Sequence, residues 1–353
     1  MRLLRSGIVI PGLRVHPRKG GAVLAFPLSM VVRPATRYQA SPDLWVVTCY
    51  FNPRRYRTKR ENYERFAAPL RAAGLPLVTV ECAFPWTGFE LDEGRRVIRL
   101  QTRDVMWQKE RLLNVVISQL PSEATKVAWL DCDVVFSNPS WARETSERLE
   151  TFPVIQLFEK AVRLPRGHGA YTGEGDVWKG FAASLVSDPD ALFSGRFDRH
   201  GHTGFAWAAR RDFLRGHGLY DTCVAGSGDH LMAHAFCGDW DSTCIDRIVG
   251  GEGPHRARFQ EWSRRIYPSV RARLAHVSGT VLHFWHGEFA HRRYVDRNRE
   301  LAGFGFDPGT DLRMASNGCW EWASPKPELH RWAVEYFGSR REDGDSGGTD
   351  VHD

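Results

Sequence analysis

Apolar positions recur at two periods along this chain, and from residue 44 onward the two alternate. Leu44-Trp45-Val46-Val47-Thr48-Cys49-Tyr50 is a β-rich run bounded by Pro42 and by Asn52-Pro53, and it reads as a strand. Tyr63, Phe66, Ala67 and Leu70 then share one helical face, and Gly74-Leu75-Pro76 stops that helix. Residues 77–81 and 97–100 read as further strands. Leu112, Leu113, Val116, Ile117 and Leu120 mark a second helix ended by Pro121, and residues 127–130 form a fourth strand. This β-α-β-β-α-β order predicts a mostly parallel sheet covered by helices, with ligands at the carboxyl ends of its strands. Asn52-Pro53 and Asp131/Asp133 both fall at such ends.

The second half is less regular. Residues 153–158 read as a strand, and residues 159–202, rich in Gly, His and Asp, as a long functional loop. Residues 204–209 are strand-like and lead into a short helix through Phe213 and Leu214. Gly226-Ser227-Gly228-Asp229 opens a helix holding Leu231, Met232 and Ala235. A late strand over 280–285 contains His283, and a charged helix follows from about 291 to 301. The chain has no internal repeat, no P-loop and no Gly-x-Gly-x-x-Gly turn.

Of four Asp-x-Asp tripeptides, only Asp131-Cys132-Asp133 closes an apolar run, Val127-Ala128-Trp129-Leu130; the copies at 188–190, 239–241 and 343–345 lie among turn residues. Two carboxylates at a strand end fix negative charge at the rim of a sheet, where Mg²⁺ or Mn²⁺ binds and keeps positions open for phosphates. The competing reading is a solvated strand-to-turn corner. Asp133 is expected to bind the ion directly, and Asp131 through water or by way of a donor ribose. His283 or His286 is expected to complete the set. Strand alternation puts those two rings on opposite faces, so at most one should point inward.

Asp229, after the Gly-Ser-Gly turn, reads either as a helix N-cap or as a general base for an acceptor hydroxyl, its pKa depressed by the helix terminus. Arg54-Arg55-Tyr56-Arg57 follows the first strand directly: the guanidinium groups suit phosphate oxygens and Tyr56 suits base stacking. Lys109 and Asn114, on the helix before the carboxylate strand, are placed to reach the same pocket.

At 353 residues the chain can hold one large α/β domain or two smaller ones, and 42% apolar and 25% charged residues are the composition of a soluble globular protein. Its net charge of +6 is unevenly spread. Residues 1–60 carry twelve Lys or Arg against the single acid Asp43, whereas the tail from 339 is acidic and Gly-rich. Seven cysteines without a Cys-x-x-Cys pair argue against a disulfide framework and for a reducing compartment. No close His/Cys pairs support a closed zinc site. The longest apolar stretch, residues 21–32, contains Pro27 and Ser29 and is too short to span a bilayer; no small-residue cleavage site follows it, so the expectation is cytoplasmic.

The motif order resembles the metal-dependent GT-A glycosyltransferases. Trp129-Leu130-Asp131-Cys132-Asp133 is similar to their Asp-x-Asp element. Gly204-Phe205-Ala206-Trp207-Ala208-Ala209-Arg210-Arg211-Asp212-Phe213, through Gly218-Leu219-Tyr220-Asp221 to Gly226-Ser227-Gly228-Asp229, resembles the acceptor-side element of polypeptide GalNAc-transferases and β-1,4-galactosyltransferases. His283 resembles their third metal ligand, and His283-Phe284 the His motif of glycogenin-like transferases. The likeness covers residues 44–300. It departs at Gly228-Asp229-His230, where the galactosyltransferases carry an acidic pair, and the anchor and disulfides of the Golgi enzymes have no counterpart, which suits a bacterial or phage protein.

The resemblance implies an α/β fold of GT-A type, a Rossmann-like mixed sheet flanked by helices. It implies one domain over 41–338, its nucleotide half about 41–158 and its acceptor half about 159–305, after a basic extension at 1–40 and before an acidic disordered tail at 339–353. The implied activity is transfer of a sugar from a UDP-linked or other nucleotide-diphosphate donor, with Mn²⁺ or Mg²⁺, to an unknown glycan, protein or other hydroxyl acceptor, by retention or inversion. Asn52, Arg54, Arg57, Lys109 and Asp131 would meet the donor, Asp131, Asp133, His283 and His286 the metal, and Trp178 and Trp207 the acceptor sugar. Asp229 would be the catalytic residue, and 159–202 would close over the donor. Two rival readings stand behind this one: a nucleic-acid-modifying transferase that uses the basic N-terminal region, and a non-catalytic nucleotide- or sugar-binding protein on the same fold. No stable membrane insertion is expected.

Overall fold

The computed structural model describes residues 31–194, 196 and 199–344. The basic residues of 1–30 and the acidic residues of 345–353 lie outside the described residues, as does most of the apolar stretch at 21–32. In chain order the elements are β1 (Leu44–Phe51), α1 (Arg57–Ala72), β2 (Leu77–Ala83), β3 (Val97–Gln101), α2 (Lys109–Gln119), β4 (Lys126–Leu130), β5 (Val134–Phe136), α3 (Trp141–Arg148) and β6 (Val154–Gln156). Next come β7 (Lys160–Arg163), β8 (Asp176–Lys179), α4 (Phe181–Ser187), β9 (Ala206–Arg210), α5 (Arg211–His217), α6 (Gly228–Phe236), α7 (Thr243–Val249) and α8 (Pro254–Val270). The chain finishes with β10 (Leu274–His276), β11 (Thr280–His283), α9 (Asp296–Gly303), α10 (Pro308–Asp311), β12 (Leu312–Met314), β13 (Trp320–Trp322) and α11 (Pro327–Ser339).

A seven-stranded mixed sheet runs β10-β6-β9-β4-β1-β2-β3. Its β4-β1-β2-β3 half is parallel, and β9 is antiparallel to both β4 and β6. Strand β1 shows why the run at 44–50 lacks polar alternation: both of its faces are buried. Val47, Cys49 and Phe51 pack on one face against Leu112, Leu113, Val116 and Ile117 of α2. Leu44, Val46 and Tyr50 pack on the other against Tyr63, Phe66, Ala67 and Leu70 of α1. The helical stripes read from the sequence are therefore the two layers that cover the sheet. Inside it, the Thr48 hydroxyl donates to the Leu130 carbonyl at 2.8 Å and the Tyr50 hydroxyl to the Glu90 carboxylate.

A second, four-stranded sheet runs β5-β11-β7-β8. It corrects the reading of 159–202 as a loop, since β7, β8 and α4 occupy much of that segment. Several of its glycines lie between these elements, among them Gly173 and Gly175, both at positive φ. The apolar residues of α7, α8 and α11 went unread because Arg, Glu and Pro interrupt their spacing. Residues 31–40, assigned to the basic extension, lie along the second sheet. Val32 bridges Tyr171, and the buried Tyr38 hydroxyl accepts from the Phe136 amide at 3.0 Å. At the other end, Arg340 and Glu342 fall within the segment read as tail and are each 2% exposed. Trp207, expected to stack on acceptor sugar, is 2% exposed in the core between Phe181 and Phe236, because β9 is an interior strand with two covered faces. Among the described residues no helix is long and apolar enough to cross a membrane.

Asp43 ties the start of β1 to β4 and α3. Lys126 Nζ lies 2.8 Å from its carboxylate, and the Ser41 and Ser146 hydroxyls donate to it at 2.7 and 2.9 Å. Partial burial opposes the charge, but these donors outweigh it and hold the Asp43 carboxyl down to about 2. Because the folded state prefers the ionised form, this stabilisation is complete above about pH 4 and is lost as pH falls towards 2. Allowing for solvent screening, Asp43→Asn should lower unfolding free energy by about 1 kcal/mol at pH 7. Urea titrations at pH 7 and pH 3 test this: the difference should shrink at the lower pH, and a constant difference would contradict it.

Candidate active site

The chain leaves the large sheet at Leu130, turns through Asp131-Cys132-Asp133 and enters the small sheet as β5. The Asp131 amide still donates to the Phe205 carbonyl at 2.8 Å, and the Asp133 carbonyl accepts from the Phe284 amide at 2.9 Å. Antiparallel pairing of β5 with β11 sets Val134 opposite His283, which brings that imidazole beside the Asp133 carboxylate. Strand β11 ends at His283, so strict alternation ends there too. The chain bends back through Trp285-His286-Gly287, with Gly287 at φ 89°. A side chain at Gly287 would come within 2.9 Å of the Arg340 and Arg341 carbonyls. Both rings consequently face one point, which corrects the expectation that at most one would. His283 Nε2 lies 3.6 Å from Asp133 Oδ1, His286 Nε2 3.2 Å from Oδ2, and the two Nε2 atoms 3.0 Å from each other.

The three side chains are buried and their ligating atoms lie within 4.8 Å of one another. Asp133 Oδ1 has no hydrogen-bond partner among the described residues. Burial, with Asp131 adding to it, pushes the Asp133 carboxyl up to about 7, and burial holds His286 down at about 3 and His283 well below the ordinary imidazole range. One carboxylate and two neutral imidazoles aimed at a common point fit a divalent cation, and the mixed O/N set suits Mn²⁺ better than Ca²⁺. The Glu342 carboxylate stands 3.6 Å behind His286 Nδ1 and is gripped by Arg340 at 2.6 Å, an outer carboxylate of the kind that orients a ligating imidazole. On its other side His283 stacks on Phe205 at 4.6 Å, and Phe205, held at φ 81°, stacks on His202 at 4.0 Å.

A second group of charges lies beside the first. Lys109 Nζ, at the start of α2, sits 2.9 Å from Asp131 Oδ1, 2.5 Å from Asp229 Oδ2 and 3.8 Å from Glu110 Oε1. Burial raises the Asp229 carboxyl, Lys109 pulls it back and Asp131 adds to the rise; the net direction is upward, against the depression expected from a helix terminus. Asp229 is not the cap either. Ser227 takes that position at φ 77°, and Asp229 lies in the first turn of α6. The Gly-Ser-Gly turn has its own reason: a Cβ at Gly228 would fall 2.7 Å from the Glu110 carboxyl, and Arg297 donates to the Ser227 hydroxyl at 2.9 Å. Burial pushes Glu110 up to about 8.

The remaining predicted contacts are dispersed. Asn52 is committed to the turn after β1, donating to the Tyr56 carbonyl at 3.0 Å and accepting from the Tyr56 amide at 2.9 Å. The Tyr56 hydroxyl donates to the Phe337 and Gly338 carbonyls, which fixes the ring against the start of the C-terminal segment. Arg54 lies against Gly338. Arg57 is 78% exposed and pairs with Glu61 one helical turn on, while its backbone amide, with that of Thr58, is capped by Asp343. Asn114 does not reach the carboxylates and instead anchors Leu219 and Asp221. Trp178 is half-buried on β8, with the Arg163 guanidinium over its ring. Glu110, His202 and Glu342 line the site without having been singled out, as does Phe205, which was read only as part of a strand-like run; Glu342 was masked by the acidic composition around it.

No family model matches the chain, and no curated protein matches it. Among solved structures it is similar to glucosyl-3-phosphoglycerate synthase from Mycobacterium tuberculosis in complex with Mg²⁺ and UDP, at 11% identity and a TM-score of 0.35 over 80% of this chain and 87% of that one. It is similar to Drosophila β-1,4-galactosyltransferase 7 in complex with manganese, UDP-Gal and xylobiose, at 10% identity and 0.35 over 82% and 98%. The values for mannosyl-3-phosphoglycerate synthase from Rubrobacter xylanophilus are 10%, 0.35, 82% and 92%.

Removing Lys109 leaves three neighbouring carboxylates without their shared cation. Lys109→Met should therefore cost about 3 kcal/mol in urea unfolding. A loss below about 0.5 kcal/mol, the range of an exposed pair, would show that the lysine is not holding them together.

Proposed function

We propose that the protein is a divalent-metal-dependent glycosyltransferase of GT-A type, moving a sugar from a nucleotide-diphosphate donor, UDP-linked in our reading, to a hydroxyl acceptor. The convergence of Asp133, His283 and His286 at the carboxyl end of the central strand β4 carries this reading. Asp133, His283 and His286, with Asp131 alongside, would hold Mn²⁺ or Mg²⁺, which would supply neutralisation of the charge that builds on a departing diphosphate. Lys109 acts as a positioning residue, fixing Asp131 on the donor side and Asp229 on the acceptor side. Asp229, its carboxyl raised by burial, accepts or orients the proton of the acceptor hydroxyl. The Phe205 ring backs His283 and keeps that wall of the site dry.

The test incubates the protein with UDP-, GDP- and CMP-sugars, with and without Mn²⁺, and reads released nucleotide. One donor should be turned over in a metal-dependent way, and Asp133→Ala should reduce release by about 10²-fold or more. Asp229→Asn should lower kcat by about 10²–10⁴-fold while leaving nucleotide affinity nearly unchanged. Metal-dependent binding without turnover in the presence of acceptors would leave a binding protein, and failure to bind any nucleotide would overturn the donor site itself.

A further inference from the structure

A second convergence of ligand-type side chains stands apart from Asp133. His200, His230, His234 and Cys244 are all buried, and one ligating atom from each lies within 4.8 Å of the other three. His230 and His234 are four residues apart on α6 and so share one face of that helix. Cys244 is the second residue of α7, and His200 belongs to the segment that leads into β9. The close pair His230/His234 was not read as one in the sequence, and the other two ligands come from ten residues downstream and thirty upstream. That separation is why this grouping of ligand-type side chains was not legible in the sequence.

Two of the imidazoles are already oriented from outside. His234 Nδ1 meets the Asp239 carboxylate at 2.6 Å, and Asp239 is in turn held by the Ser242 amide at 3.0 Å. His200 Nδ1 meets the Gly201 carbonyl oxygen at 3.0 Å. Each contact places the ring proton on Nδ1 and leaves Nε2 as the ligating atom, the outer-shell arrangement found around zinc-bound histidines. His234 Nε2 is buried with no hydrogen-bond partner among the described residues. Cys244 Sγ lies 3.7 Å from His200 Nε2. The S–N edge of a tetrahedral zinc site with ordinary bond lengths is about 3.6 Å, so this pair needs almost no movement to share an ion.

We propose that His200, His230, His234 and Cys244 form a closed, structural zinc site. Three neutral imidazoles and one thiolate saturate tetrahedral Zn²⁺, leaving no position for substrate, and binding releases the Cys244 thiol proton to solvent. The set contains no oxygen donor, which separates it chemically from Asp133, His283 and His286. The ion would tie three elements together: α6, where His230 directly follows Asp229; α7; and the segment running from His200 through His202 to Phe205, the ring that backs His283. A bare packing cluster is the competing account, with the His230 and His234 rings stacked at 4.4 Å and no metal.

Zinc is measured by mass spectrometry on the full-length protein after exhaustive dialysis against a chelator that strips weakly held ions. About one zinc per chain should remain. Exchange with Co²⁺ should give tetrahedral visible bands and a near-ultraviolet thiolate-to-cobalt band, which an oxygen- and nitrogen-only site does not produce. Cys244→Ala should abolish that band and release the zinc, whereas Asp133→Ala should retain both; if Cys244→Ala does not fold, the cobalt spectrum of the wild type still decides. Folded wild-type protein with less than about a tenth of an equivalent of zinc and no thiolate-to-cobalt band would overturn the site. Full zinc occupancy in a folded Cys244→Ala variant would do the same.

Discussion

The pairing of β5 with β11 is the contact on which the rest of the site depends. It joins a strand that continues directly from the centre of the large sheet to one that enters some 150 residues later in the chain, and its register decides which side chain stands beside Asp133. A slip of one residue would turn His283 to the opposite face. Burial on both sides of the small sheet prevents that slip. Val134, Phe136 and Val281 pack towards the large sheet, while Val135, Leu282 and Val162 fill a separate cluster on the far side. Apolar packing thus sets a position that the ligand chemistry needs but could not enforce alone.

Charge supplies the second constraint. Asp131, Asp133, Asp229 and Glu110 gather where β4 ends, and Lys109 is shared among three of them. Burial drives Asp133, Asp229 and Glu110 towards their protonated forms. A buried site with more carboxylate than cation is at its lowest free energy either partly protonated or with an added positive ion. This is the physical sense in which the arrangement asks for a metal. Glu342, also buried beside the site, is held well below its usual range by its own cations, Arg340 and Lys59.

The sequence exposed the parts of this structure that repeat and hid the parts that converge. Strands β1, β2 and β4 and helices α1 and α2 were readable because each fills a full face with apolar residues at a single period. Asp131 and Asp133 were readable because they interrupt such a run at its end. His283 and His286 were both proposed, but their geometry was misjudged, since alternation was carried past the end of β11 into a glycine turn. Trp207 was misread because an aromatic on an interior strand has the same local signature as one on an edge. Glu342 and the Cys244 cluster depend on contacts between distant segments, which no local period records. Asp229 was singled out through its Gly-Ser-Gly turn, in which Ser227 takes the cap position and Gly228 lets α6 approach Glu110.

Anomalous diffraction at the manganese edge, from crystals soaked with Mn²⁺ and a uridine diphosphate, tests the central claim most directly. The account predicts one strong peak bounded by the Asp133 carboxylate and the Nε2 atoms of His283 and His286, with the nucleotide diphosphate completing its coordination. A peak coordinated elsewhere, or none there while the nucleotide is bound, would contradict it.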